Sequence, residues 1–475
     1  MTERSGPLAW SQQEWISGLP PFDDSLYEDN FFALLPIGGL PPDTVRAAVG
    51  DVLERHENLR SRVPVGPADT GTQLVDPARS RLDQVVGTAA AGDARVHRDI
   101  MRTCFAMAEQ WPVRVLLRQE QKRVTEVLLV VDHWAADAWG FKVVCQDLAS
   151  ALRARARGQA WTDGAPVEQP VDLALWESAT AEGARQRDRV LEYWRGRLEP
   201  LARLLMGASP RLGVSAPPLA RMHGTPSVHP PSTAAEPELF RGCRIGSDRV
   251  LDAARRTARR LRIPVSAVFL AAFGAMICAA EEAPSVAVSM LSGNRPTAAS
   301  RRSVRNAIMR VPIVVPSAGS VAFDEAVRAA AAQQFAAHRI ARADPVAVNA
   351  LTKELFGPLD RTSLVSAKFN YITGQALGPD VLGGGGAPSS RDRPAAHFDK
   401  PRRQGPEYML VVQECGERAE LTLRWNDRSG WGPQAEAMLG YIEAYIVLGA
   451  LGAGLPSSLE KAIETPRHSI TNIMR

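Results

Sequence analysis

Apolar residues recur at three- and four-residue spacing in several stretches of the chain and at every second position in others, which predicts helices and strands without strict alternation. Val45, Val49, Val52 and Leu53 follow Pro42 and Asp43 at helical spacing, predicting a helix capped by Asp43 that ends near Arg55. Residues 124–131 are β-branched or leucine at most positions and read as a strand that runs straight into Asp132 and His133. Residues 141–157 then return to helical periodicity, so the local order is strand, tight turn, helix. Helices are also predicted over 179–198, 265–280, 323–340 and 436–448. Strands are predicted over 286–291, 311–315, 408–412 and 420–425. Residues 210–237 are crowded with Pro, Ser and Gly and predict an irregular connection, while Gly383 to Gly386 and the residues up to Arg403 predict a loop. No internal repeat of fixed period is present, and the mixture predicts an α+β fold.

At 475 residues with 45% hydrophobic content, the chain exceeds what one core usually fills, so two lobes are expected. They are placed at 1–178 and 179–475, with the Pro-rich connection near 208–237. The net charge of +4 is scattered among both signs rather than gathered into one basic block, which argues against nucleic acid as a partner. Short clusters at Arg153, Arg155 and Arg157, and at Arg255, Arg256, Arg259, Arg260 and Arg262, read as solvated helix faces or as contacts for an acidic protein. The first fifteen residues carry Glu3, Arg4 and Glu14 and lack a signal-peptide core. Residues 265–280 are too short for a comfortable membrane span, so no membrane association is expected. Five widely spaced cysteines, Cys104, Cys145, Cys243, Cys278 and Cys415, read as the reduced thiols of a cytoplasmic protein.

The stretch Asp132-His133-Trp134-Ala135-Ala136-Asp137-Ala138 carries the candidate chemistry. Histidine is the side chain able to take and return a proton near neutrality. Strand alternation puts Val127, Leu129, Val131 and His133 on one face and Leu128, Val130 and Asp132 on the other, so Asp132 and His133 should point apart. Asp137 is placed to accept backbone N–H bonds at the start of the following helix or to pair with an arginine. Ala138 stands where a glycine would supply positive φ or a close approach of substrate to the backbone. Read alone, His133 is either a packed, hydrogen-bonded residue or a catalyst. A metal site is not expected, because no third ligand lies at suitable spacing, and no GxSxG elbow is present.

The same stretch resembles the HHxxxDG motif of nonribosomal peptide synthetase condensation domains, with Asp132 for the first His and Ala138 for the Gly. Other segments resemble motifs of that family in the expected order. Pro7 to Gln13 looks like the opening SxAQ-type element, and Arg55-His56-Glu57-Asn58-Leu59-Arg60 is close to RHExLR. Val171 to Trp176 is similar to YxDYAxW, and Glu192-Tyr193-Trp194 with Leu198 is similar to YWxxxL. Ser292 to Pro296 looks like the GR segment, Asn306 to Pro316 stands where IGxFVNTxPxR would be, and Phe369-Asn370-Tyr371 resembles a channel-lining strand.

The resemblance implies two chloramphenicol acetyltransferase-like lobes forming a V, with His133 inside a central tunnel. It implies that Arg295 supports Asp137 and that Asn370 and Trp139 touch substrate. No adenylation signature or phosphopantetheine-carrier motif is seen, so the resemblance implies a free-standing condensation enzyme of natural-product biosynthesis, with no cofactor of its own. It would take an acyl or aminoacyl group from the phosphopantetheine thioester of a partner carrier protein and pass it to an amine or alcohol, His133 accepting or orienting the nucleophile's proton. Two alternatives stay open: a relative that uses acyl-coenzyme A, and a condensation-like recruitment module that has lost its chemistry, suggested by Asp132 and Ala138.

Overall fold

A computed structural model describes residues 3–17, 30–64, 71–90, 103–162, 164–207, 238–280, 285–316, 321–356, 367–373, 396–402, 408–426, 434–453 and 455, with positions 93, 96, 99 and 100. Chain contacts divide it into two compact units, one made of residues 1–188, 293–309 and 376–387, the other of 189–292, 310–375 and 388–475. The residues of the Pro-rich connection, 208–237, and of the Gly-rich run, 383–386, lie outside the described set.

The first unit starts with β1 (Arg4–Pro7), α1 (Trp10–Ser17), β2 (Phe31–Leu40) and α2 (Pro42–Arg55), followed by β3 (Ser61–Arg62) and β4 (Thr72–Val75). It continues through α3 (Leu82–Val85), β5 (Val86–Ala90), β6 (Val113–Glu120), β7 (Arg123–Val131), α4 (Ala138–Ala156) and α5 (Pro170–Ala179). Its main sheet has the order β2-β7-β6-β5, and a small second sheet has the order β1-β4-β3. The helix predicted after Pro42 ends at Arg55 as expected, but Asp43 makes no cap: Pro41 is the cap residue, and Asp43 lies inside the first turn. A proline at the head of the helix already fixes the backbone and removes one orphan N–H, leaving the carboxylate to act on the helix dipole.

Strand β7 is central to its sheet because both faces are apolar. Val127, Leu129 and Val131 join the larger core with Phe31 and Phe141, whereas Leu128 and Val130 join a smaller one with Phe105 and Leu116. The helix predicted over 179–198 is α6 (Ala181–Gly207), which begins two residues later and runs further than expected, and Thr180 separates it from α5, which stops at Ala179. The Thr180 hydroxyl accepts the Gly183 N–H at 3.0 Å and so marks the break.

The second unit contains β8 (Glu238–Ser247), α7 (Asp248–Leu261), α8 (Val265–Ala280) and β9 (Ser285–Ser292). After α9 (Ala298–Arg301), whose residues fall in the first unit, come β10 (Met309–Pro316), α10 (Phe323–Arg339), α11 (Pro345–Phe356) and β11 (Ala367–Ile372). The chain closes with β12 (Ala396–Arg402), β13 (Tyr408–Cys415), β14 (Arg418–Asn426) and α12 (Ala435–Ala450). The seven-stranded sheet has the order β10-β9-β11-β13-β14-β8-β12. Helix α8 is buried over most of its length, and the Cβ that an alanine would add at Gly274 meets Val315 of β10 at 2.4 Å. That glycine lets helix and strand touch.

One expectation is overturned here. The composition of the tract up to Arg403 predicts a loop, yet residues 396–402 pair antiparallel with β8. The strand lies at the sheet edge, where Pro401 can be accommodated without breaking a central ladder. Among the described residues, no single helix is long and apolar enough to cross a membrane.

Candidate functional site

The strand ends at Val131, and the next six residues turn the chain into α4. Asp132 and His133 leave on opposite faces. The Asp132 carboxylate accepts the Trp134 N–H at 2.9 Å and lies near Arg114. Burial against Phe105 lowers the Arg114 guanidinium below its ordinary value, and the Asp132 charge opposes that shift. His133, on the other face, is half-buried; its ring stacks on Trp15 at 4.1 Å with 11° between planes and tilts against Phe31 at 4.9 Å.

Asp137 is the N-cap of α4. One carboxylate oxygen, Oδ1, accepts the Gly140 N–H at 2.7 Å and the Arg295 Nη2 at 2.8 Å; the other accepts the Ala307 N–H at 3.0 Å. Its own N–H donates to the Arg305 carbonyl at 3.2 Å. Arg295 also donates to the carbonyls of Ser300, Ser303 and Arg305, at 2.9, 2.8 and 2.7 Å. Both oxygens of Asp137 are thus committed to holding the turn against residues 305–307, a structural task rather than proton transfer. Ala138 opens α4 and is not among the non-glycine residues with positive φ, which are Gln121, Lys122, Arg262 and Asn294 among the described residues. The turn therefore places no left-handed demand on position 138.

Residues 305–307 reach His133 through Asn306, whose Nδ2 lies 3.0 Å from the His133 carbonyl oxygen and 3.2 Å from Nδ1 of the ring. The Asn306 carbonyl in turn accepts the Ser11 hydroxyl at 2.7 Å. Ser11, Trp15, Phe31 and Asn306 were not singled out in the sequence as neighbours of His133. Asn306 lies 173 residues away, and no local pattern signals that contact.

The other motifs converge on the same turn by buried polar links. Asn58 donates to the Ala135 carbonyl at 2.6 Å and accepts from Gln12 at 3.1 Å; Gln12 and Gln73 exchange amide bonds at 3.2 and 3.1 Å. His56 and Arg55 both meet Asp147 of α4, at 2.8 and 3.3 Å. These residues brace the helix that follows the turn. Trp139, exposed, donates its indole N–H to the Arg301 carbonyl at 2.8 Å and lines a cavity of about 250 Å³ with Arg55, Lys142, Asp147, Arg301 and Arg302. Asn370 is half-buried on β11 between Phe369 and Tyr371, in the second unit. Cys145, the thiol nearest the motif, is pushed up to about 12 by burial and is no nucleophile at neutral pH. Among the described residues, no three His, Cys, Asp or Glu side chains group as a metal site.

Residues 30–377 match the family profile of the condensation domain. Over 206 residues the chain is 35% identical to CymA, a probable nonribosomal peptide synthetase of Salinispora arenicola, which covers 42% of this chain and 3% of that protein. Over 200 residues it is 30% identical to the isonitrile lipopeptide synthase of Mycobacterium tuberculosis, covering 40% of this chain and 8% of the relative. The chain thus spans a small fraction of the length of these curated relatives. Its fold matches the condensation domain of the Monacolin K polyketide synthase MokA with a TM-score of 0.68 and 18% identity, over 96% of this chain and 100% of the other. It matches SgcC5 of Streptomyces globisporus with a TM-score of 0.64 and 18% identity, over 95% and 100%.

Proposed function

Since the chain belongs to the condensation-domain family, we propose that it transfers an acyl or aminoacyl group from the phosphopantetheine thioester of a carrier protein to an amine or alcohol acceptor. The new C–N or C–O bond forms at the thioester carbonyl, the C–S bond breaks, and the pantetheine thiol leaves. The thioester is already activated, so no covalent acyl-enzyme is required. His133 lies beside the reacting carbonyl and accepts or orients the nucleophile's proton, an effect commonly worth about 100- to 10,000-fold. Holding donor and acceptor in register adds a further large share of the rate.

The observation that carries this reading is the investment of fixed groups around one imidazole. A stacked Trp15, a tilted Phe31, the Asn306 amide and the Asp137–Arg295 pair that secures its turn leave His133 one well-defined orientation. The wide spacing of the five cysteines suits a reducing, cytoplasmic setting.

The test uses a loaded carrier protein as donor with matched amine and alcohol acceptors, read by intact-protein mass spectrometry. Wild-type protein should discharge the carrier and release product, and a His133→Ala variant should do so about 100-fold more slowly or worse. Product formation at the wild-type rate in that variant would reject the role of His133. Turnover of free acyl-coenzyme A with none from the loaded carrier would reject the carrier-bound donor.

A further inference from the structure

We propose that the cleft between α4 and residues 301–302 is a binding site for a small phosphate monoester that carries a flat ring. The site lies wholly within the first unit and is independent of the acyl-transfer reading above.

Helix α4 divides its faces between two tasks. Positions 139, 142, 143, 146 and 147 recur at three- and four-residue spacing and line the cleft. Phe141, Val144 and Leu148, on the opposite side, turn into the core. Phe141 stacks at 5.4 Å on Phe31, the ring that tilts against His133. The cleft therefore opens on the face turned away from the imidazole, and none of its lining residues is a contact of His133 described above.

Charge in the cleft is unbalanced. Among the described residues, four cationic side chains, Arg55, Lys142, Arg301 and Arg302, face a single carboxylate, Asp147. That carboxylate is already engaged by Arg55 at 3.3 Å and His56 at 2.8 Å. Arg301 donates to the Pro296 carbonyl at 3.2 Å, a neutral partner that orients the guanidinium without cancelling its charge. Lys142 lies 5.4 Å from the centre of the Trp139 ring, a contact that likewise leaves its charge intact. The arginine clusters elsewhere differ. Arg155 pairs with Asp51 at 2.5 Å, Arg255 with Glu414 at 3.0 Å, Arg256 with Asp252 and Arg260 with Asp324. Those charges are answered within the fold, whereas the cleft holds an excess for an incoming anion.

The kind of anion follows from shape. Planar guanidinium groups match the oxygens of a phosphate, which carries about −1.5 to −2 charge as a monoester at pH 7. A cavity of about 250 Å³ has room for an organic group beside it. Trp139 supplies the wall for that group: its ring is 37% exposed, and its indole N–H is pinned to the Arg301 carbonyl at 2.8 Å. A flat ring laid against this wall brings its phosphate to the arginines next to it.

Phenyl phosphate is the simplest probe. Titrated calorimetrically into the full chain in a low-salt buffer free of other phosphate, it should fill one saturable site, raise the unfolding midpoint, and bind more tightly than inorganic phosphate. Added salt should weaken it. Arg302→Gln and Lys142→Gln should each weaken binding about tenfold or more, the worth of a charge-assisted hydrogen bond. Both should keep the wild-type unfolding midpoint when no probe is present. Arg153→Gln, which removes an exposed charge further along α4, should bind as the wild type does. Trp139→Ala should bring phenyl phosphate down to the level of inorganic phosphate. Neither heat nor a rise in midpoint with phenyl phosphate would overturn the site, as would undiminished binding in both Arg302→Gln and Lys142→Gln. Equal affinity of the wild type for inorganic and phenyl phosphate would overturn the ring. Binding of polyglutamate with none of phenyl phosphate would overturn the small ligand and give the cleft to an acidic protein.

Discussion

Asp137 and Arg295 form an ion pair in which the side chains are 3% and 6% exposed. Removing one partner of such a pair leaves the other as an uncompensated buried charge, which typically destabilises by about 3–5 kcal/mol. Asp137→Ala and Arg295→Met should each lower the unfolding free energy by about that amount in urea titrations. The double variant should lose less than the sum of the two, since the second substitution removes the stranded charge. Ala138 gives the opposite expectation. Because its backbone is ordinary helix, Ala138→Gly should cost stability of about 0.5–1 kcal/mol and leave turnover unchanged, as measured by melting and by product release.

At the scale of elements, the start of α4 is packed directly on the backbone of residue 305. A Cβ at Gly140 would lie 3.0 Å from the Arg305 carbonyl oxygen and 3.2 Å from its nitrogen, both main-chain atoms that have little room to give. Gly140→Ala should therefore displace residues 305–307 and cost about 1–3 kcal/mol. Its turnover should fall further than that loss of stability implies, because Asn306 moves with the segment. Much of this element was legible in the chain: β7, the tight turn and α4 follow from a β-branched run, a polar break and returning helical spacing. The opposed faces of Asp132 and His133 follow from strand alternation alone. What could not be read was the partner segment. Residues 305–307 are polar or small, carry no periodicity, and act through main-chain groups and one amide, none of which leaves a sequence pattern. Edge strand β12 escaped for a related reason, its composition of Pro, Asp, Lys and Arg being that of a loop while its ladder bonds are backbone.

At the scale of the whole molecule, burial raises several groups that ionise at high pH. Cys145, Cys278 and Tyr441 are each pushed up to about 12 by burial, and Tyr371 is pushed higher by burial together with its bond to Glu414. A group whose folded value is raised contributes stability in full below its unfolded value and loses it as pH rises toward the folded one. Stability should accordingly hold to about pH 9 and decline between there and about 12, which urea midpoints followed against pH will show. A flat profile across that range would contradict the burial of these groups.

The order of segments within the first unit has a practical corollary. Residues 293–309 belong to it although the stretch from 189 to 292 intervenes, so the gene cannot be cut once to yield it. A fragment expressed to residue 188 would carry the imidazole and its turn, but neither the guanidinium that anchors the turn nor the amide that orients the ring. Dissection of this chain into separately produced halves would leave His133 in one tube and the groups that hold it in the other.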